Sequence, residues 1–195
     1  MPRTSRLYRI AWGFYLLLGL GGLVGLAAQG RRIDVRLLVN PASWWIDLGL
    51  GLVSGLVLLA IWLLARRKLA SAHELEEVLA RLLQLVSRPE VIALAVISAV
   101  AEEVAFRGAL QGAIGWIGAA AIFALLHFGP GAPFRLWSGY ALLGGIVFGA
   151  IAATRQALLA PILGHLIVNL VQLRRLPTST AATPRASSPT TERSG

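Results

Sequence analysis

Two carboxylates and a guanidinium stand together in the run Ala101-Glu102-Glu103-Val104-Ala105-Phe106-Arg107-Gly108. No charged residue occurs from Val91 to Val100 or from Ala109 to Leu126. A charged side chain at the centre of a bilayer costs about 2.5–3.5 kcal/mol on insertion scales, so three of them within six positions require partners or a use. Helical spacing divides their work. Glu103 and Arg107 are i, i+4, which puts them on one face within reach of an ion pair, the acid on the N-terminal side. Glu102 points about 100° away from Glu103, so Arg107 cannot serve both acids equally. One Glu is neutralised by Arg107, and the other is left available for chemistry.

Other polar residues lie in apolar surroundings. His127 ends Phe123-Ala124-Leu125-Leu126-His127, and His165 opens His165-Leu166-Ile167-Val168-Asn169, where His165 and Asn169 again share a helix face. At ~1.5 Å per residue, Glu102, His127 and His165 each lie roughly 12–18 Å into their segments, with Asn169 about 6 Å beyond His165. A single cluster of Glu102, His127, His165 and Asn169 is therefore sterically reasonable. The third histidine, His73, sits in a polar connector beside Glu74 and reads as solvated.

The chemistry that fits is hydrolysis. A carboxylate in a low-dielectric cavity can act as a general base on water. Two imidazoles can bind a metal, or can hold the water and stabilise an oxyanion directly. Asn169 can donate a hydrogen bond to that oxyanion. The chain has no Cys, which excludes thiolate catalysis, disulfides and Cys-based metal sites. No suitably paired Ser is apparent, so an activated water is the best nucleophile.

The elements that must position these residues are membrane helices. The chain has 195 residues, 56% hydrophobic and only 14% charged, where a soluble domain carries about 25% charge. We expect an all-α polytopic membrane protein with about six transmembrane helices and one amphipathic interfacial helix. The expected spans are Ile10 to Ala28, Trp44 to Ala65, Pro89 to about Ile114, a short Ile117 to Phe128, Trp137 to Ala153 and Ala157 to Leu173. Asp47, within a turn of the second span's boundary, reads as a solvated end residue. Glu74 to Val86 has apolar residues at 3–4 spacing and is expected on the membrane surface. Gly129-Pro130-Gly131-Ala132-Pro133 is a stop. Gly51/Gly55, Gly108/Gly112 and Gly145/Gly149 fit close helix packing.

Three regions follow: 1–88 with two spans and the amphipathic connector, 89–176 as the helical core with the polar motifs, and 177–195 as a Ser/Thr/Pro-rich disordered tail. The net charge of +9 reflects Lys and Arg flanking apolar segments, not nucleic-acid binding. With six spans and the N-terminus inside, these residues number 13 inside and 5 outside, which favours both termini inside.

On the quoted motifs the chain resembles the CPBP family of intramembrane proteases, the group of type II CAAX prenyl endopeptidases and bacteriocin-processing proteins. The family pattern is EExxxR, FxxxH and HxxxN or HxxxD in successive helices. Here these are Glu102-Glu103-Val-Ala-Phe-Arg107, Phe123-Ala-Leu-Leu-His127 and His165-Leu-Ile-Val-Asn169. The resemblance implies peptide-bond hydrolysis within the membrane. Glu102 would activate water, His127 and His165 would position it or a metal, and Asn169 would stabilise the oxyanion. Glu103, Arg107 and Phe123 would support them. It implies either one divalent metal such as zinc, held by Glu102, His127 and His165, or none. The substrate would be a peptide or membrane protein, and the compact size favours a member of bacterial type in the cytoplasmic membrane. The competing class is a non-enzymatic immunity or adaptor protein that binds a partner through the same cavity; a small transporter is a third, without an internal repeat to support it.

Overall fold

The computed structural model describes residues 6–31 and 33–176. The expected tail at 177–195 lies outside the described residues, as does Arg3 before the first helix. The described chain is all-helical: α1 (Arg6–Ala28), α2 (Val35–Leu38), α3 (Trp44–Lys68), α4 (Ala70–Leu83), α5 (Arg88–Glu103), a π-helical segment (Val104–Leu110), α6 (Gln111–Leu126), α7 (Ala132–Arg155) and α8 (Leu159–Arg175). α5 starts as its sequence suggests. Ser87 and Glu90 form a capping box around Pro89, satisfying backbone donors that the first turn leaves unpaired.

Among the described residues, four helices are long and apolar enough to cross a membrane: Arg6–Ala28, Trp44–Lys68, Arg88–Leu126 and Ala132–Arg155. The six expected spans are thus not all reached by length and composition. The third and fourth merge into one helical run of 39 residues. That run is broken at Gly115, whose φ of 78° lies in the left-handed region that glycine adopts without strain. Beyond it the chain folds back, and the Phe123 ring comes 5.0 Å from Phe106 in a T-shaped contact. Residues 116–126 are short for a span, and α8, at 17 residues, stands at the lower limit.

Small residues set the helix directions. A Cβ on Gly22 would lie 2.8 Å from Ala105 Cα, and Gly19 faces Ala101, so α1 runs parallel to α5 and the π-helical segment. Gly51 and Gly55 press on Ala160 and Gly164, a Cβ on Gly55 reaching within 2.9 Å of the Gly164 carbonyl oxygen. This makes α3 parallel to α8. Of the glycine pairs expected to pack closely, Gly51/Gly55 does so against helix backbone at both members, so a side chain at either would push the helices apart. α8 is antiparallel to α5, since Ser98 meets Asn169 and Glu103 meets His165. The start of α1, the end of α4, the start of α5 and the end of α8 share one apolar cluster around Val86, Val91 and Leu176. Both ends of the described chain therefore lie at the same end of the bundle.

Three sequence expectations change. Asp47 is fully buried, not solvated: Arg155 Nε donates to its Oδ1 at 2.6 Å. The tight α3–α8 seam draws the start of α3 against the end of α7, where Arg155 lies. The helix expected over Glu74 to Val86 is α4, Ala70–Leu83, and its Ala72 and Leu75 pack on Trp62, Trp137 and Tyr140. Part of that apolar face packs on the bundle, while Leu82 and Leu85 remain exposed. α7 begins at Ala132, five residues before the expected Trp137, because Pro133 in a first helical turn forfeits no hydrogen bond.

Candidate functional site

Glu103 is the hub. It is fully buried, and its Oε1 accepts from Arg107 Nη1 at 3.0 Å and from His165 Nδ1 at 2.7 Å. The expected Glu103–Arg107 pair forms across the start of the π-helical segment, a local geometry that i, i+4 spacing does not reveal. Arg107 is also buried, with its guanidinium 4.6 Å from the centre of the Phe123 ring. The Phe of the FxxxH motif thus covers the supporting cation. Arg31 and Gln29, from beyond α1, donate to the carbonyls of Gly108 and Ala109 and tie that helix to the same segment.

Glu103 also fixes His165. Its carboxylate, ion-paired to Arg107, is an acceptor, so His165 Nδ1 carries a hydrogen, and in the neutral ring Nε2 presents a lone pair. That Nε2 faces Glu102 Oε2 at 3.6 Å. Phe148 stacks on the imidazole with centroids 5.8 Å apart, and Phe123 meets it edge-on at 6.1 Å. The ring has little freedom to turn. Glu102 and Glu103 therefore contact the same histidine through opposite nitrogens.

His127, at the C-terminal end of α6, donates from Nδ1 to the Phe123 carbonyl at 2.8 Å. Its Nε2 is then an acceptor too. Asn169 Nδ2 donates to Ser98 Oγ at 3.0 Å, which occupies one of its two hydrogens and leaves the other free for a ligand. A cavity of about 310 Å³ is lined by Glu102, His127, His165 and Asn169 together. The four residues expected to cluster do share one chamber. Its walls are otherwise mostly apolar, with Leu79 and Leu83 of α4 and Leu173 of α8 toward the end of the bundle where the described chain begins and ends.

The metal expectation finds a partial donor set. Glu102 and His165 approach each other, but among the described residues no group of three or more His, Cys, Asp or Glu side chains is placed to hold a metal ion. His127 would have to move to complete the set.

Three contributors escape sequence reasoning. Tyr15 of α1 lines the cavity within interaction range of Glu102. Ser98 and Phe148 hold Asn169 and His165. Ser98 lies four residues before Glu102, one turn away on the same helix, so helical spacing could have found it. Tyr15 and Phe148 sit in ordinary apolar runs with no such signal.

Buried acids, imidazoles and an amide thus surround one chamber among helices of membrane-spanning length and composition. Residues 84–171 match the family described as type II CAAX prenyl endopeptidase Rce1-like. That segment is similar to a family described as endopeptidases. The match spans α5, the π-helical segment, α6, α7 and most of α8, with all three motifs inside it. No curated protein and no solved structure gives a significant match.

Proposed function

We propose that this protein is an intramembrane endopeptidase that hydrolyses a peptide bond with a water activated by Glu102. The observation that carries the proposal is the His165 bridge: Nδ1 donates to Glu103 at 2.7 Å while Nε2 faces Glu102 Oε2 at 3.6 Å. Nε2 and a carboxylate are both acceptors, so a donor between them satisfies both, and a water offers two hydrogens. A water held that way turns a lone pair toward the chamber. Glu102 takes its proton as the oxygen attacks the substrate carbonyl carbon. The free hydrogen of Asn169 Nδ2 supports the oxyanion. Glu102 then delivers the proton to the departing amine as the C–N bond breaks. His127 Nε2 adds a second acceptor for the water or for a substrate N–H.

The alternation of helix directions and the two ends of the described chain at one end of the bundle support six crossings. The Lys and Arg bias favours the inside for that end, and the compact chain suits a bacterial cytoplasmic membrane. The alternative of a binding-only immunity or adaptor protein has no observation in its favour.

The test is cleavage by detergent-purified protein of an internally quenched peptide ending in a prenylated CAAX sequence, beside the same peptide without the prenyl group. Cleavage of either supports the proposal, and preference between them defines the substrate; cleavage of neither contradicts it. Activity that survives chelation fits the water-and-glutamate route, whereas loss on chelation and return with zinc would call for a metal. His165→Gln separates the two faces of the bridge. The amide still donates to Glu103, so folded abundance should hold, while the missing Nε2 acceptor should lower turnover about 10²–10³-fold. Unchanged turnover at normal abundance would remove His165 from the reaction.

A further inference from the structure

We infer that Tyr15, on α1 and outside the 84–171 segment that matches the protease family, is a positioning residue that holds the Glu102 carboxylate for water activation. The inference rests on the proposed hydrolytic role of Glu102. Tyr15 lines the same cavity as Glu102 and His165, with its phenol within interaction range of the Glu102 side chain. The placement is constrained by α1 itself. One and two turns beyond Tyr15, Gly19 faces Ala101 and Gly22 sits against the Ala105 backbone, directly flanking the Glu pair. The helix cannot slide along α5 without a clash at Gly22.

The need for such a donor follows from the proton inventory of the chamber. In the neutral rings, with Nδ1–H of His165 committed to Glu103 and Nδ1–H of His127 committed to Phe123, both Nε2 atoms are acceptors. Neither imidazole can anchor an ionised carboxylate in that state. A phenol can, through its single O–H. Tyr15 thereby leaves the carboxylate turned to the water and to His165, and it acts through Glu102 without touching the scissile bond. The active site is completed by a helix that precedes the family segment.

The experiment compares wild type and Tyr15→Phe on the prenylated quenched peptide, per folded molecule, with folded abundance measured alongside. The phenyl ring keeps the packing and removes only the hydroxyl. We expect kcat to fall roughly 10- to 100-fold, the scale of a lost hydrogen bond to a charged group, with KM within about twofold and abundance unchanged. Wild-type kcat in Tyr15→Phe overturns the inference. So does a fall in abundance with kcat per folded molecule intact, which marks a structural role, or a rise in KM at constant kcat, which marks substrate binding. Failure of wild type itself to cleave would instead bring down the protease reading on which the inference depends.

Discussion

Arg107→Ala is expected to strip the membrane of most folded protein before any effect on chemistry can be read. Glu103 has no exposure, Arg107 almost none, and they are 3.0 Å apart. Removing the cation leaves a buried carboxylate with His165 Nδ1–H as its remaining partner. Breaking a buried pair from one side costs about 3–5 kcal/mol, because the surviving charge keeps its desolvation penalty. Lost packing on Phe123 adds to that. Thermal unfolding in detergent should drop by on the order of 10 °C. Adding Glu103→Gln should restore part of the loss, since a neutral amide needs no counter-charge and can still accept from His165. Normal abundance with lost activity would contradict this account and place Arg107 in the reaction.

The sequence carried the site better than its setting. Three polar motifs stand out in apolar segments because charge and imidazole in lipid are costly, and depth along each helix was enough to bring Glu102, His127, His165 and Asn169 to one chamber. The division between Glu102 and Glu103 was legible from the 100° step of a helix. The bridging role of Glu103 to His165 was not, because it depends on how α8 crosses α5. The π-helical segment was equally hidden: Val104 to Leu110 has no residue that forces the extra backbone turn. Asp47 was misjudged because its distance from the span boundary was visible and its partner, 108 positions away, was not. What covers each part of the apolar face of α4 is hidden for a related reason. Amphipathic periodicity states that one face is buried, but not whether lipid or protein covers it. Tyr15 was unreadable, since an aromatic in a first span is ordinary until tertiary packing sets it against Glu102.

Glu102→Gln should nearly abolish peptide hydrolysis while leaving the fold intact. Glu102 is largely buried, so a side chain of the same size is needed to preserve packing, and glutamine provides it. The amide keeps a carbonyl oxygen that can accept from Tyr15, but it cannot take a proton from water. General-base catalysis of this kind is worth about 10²–10⁴-fold, so turnover should fall by at least that lower bound. Because Glu103 retains Arg107 and His165, the helix seams are untouched and abundance should match wild type. The decisive measurement is the rate of prenyl-peptide cleavage by wild type and Glu102→Gln, purified in detergent and compared at equal folded concentration. The account predicts a cleaving wild type and a Glu102→Gln variant at least about 100-fold slower; equal rates in the two proteins would contradict it.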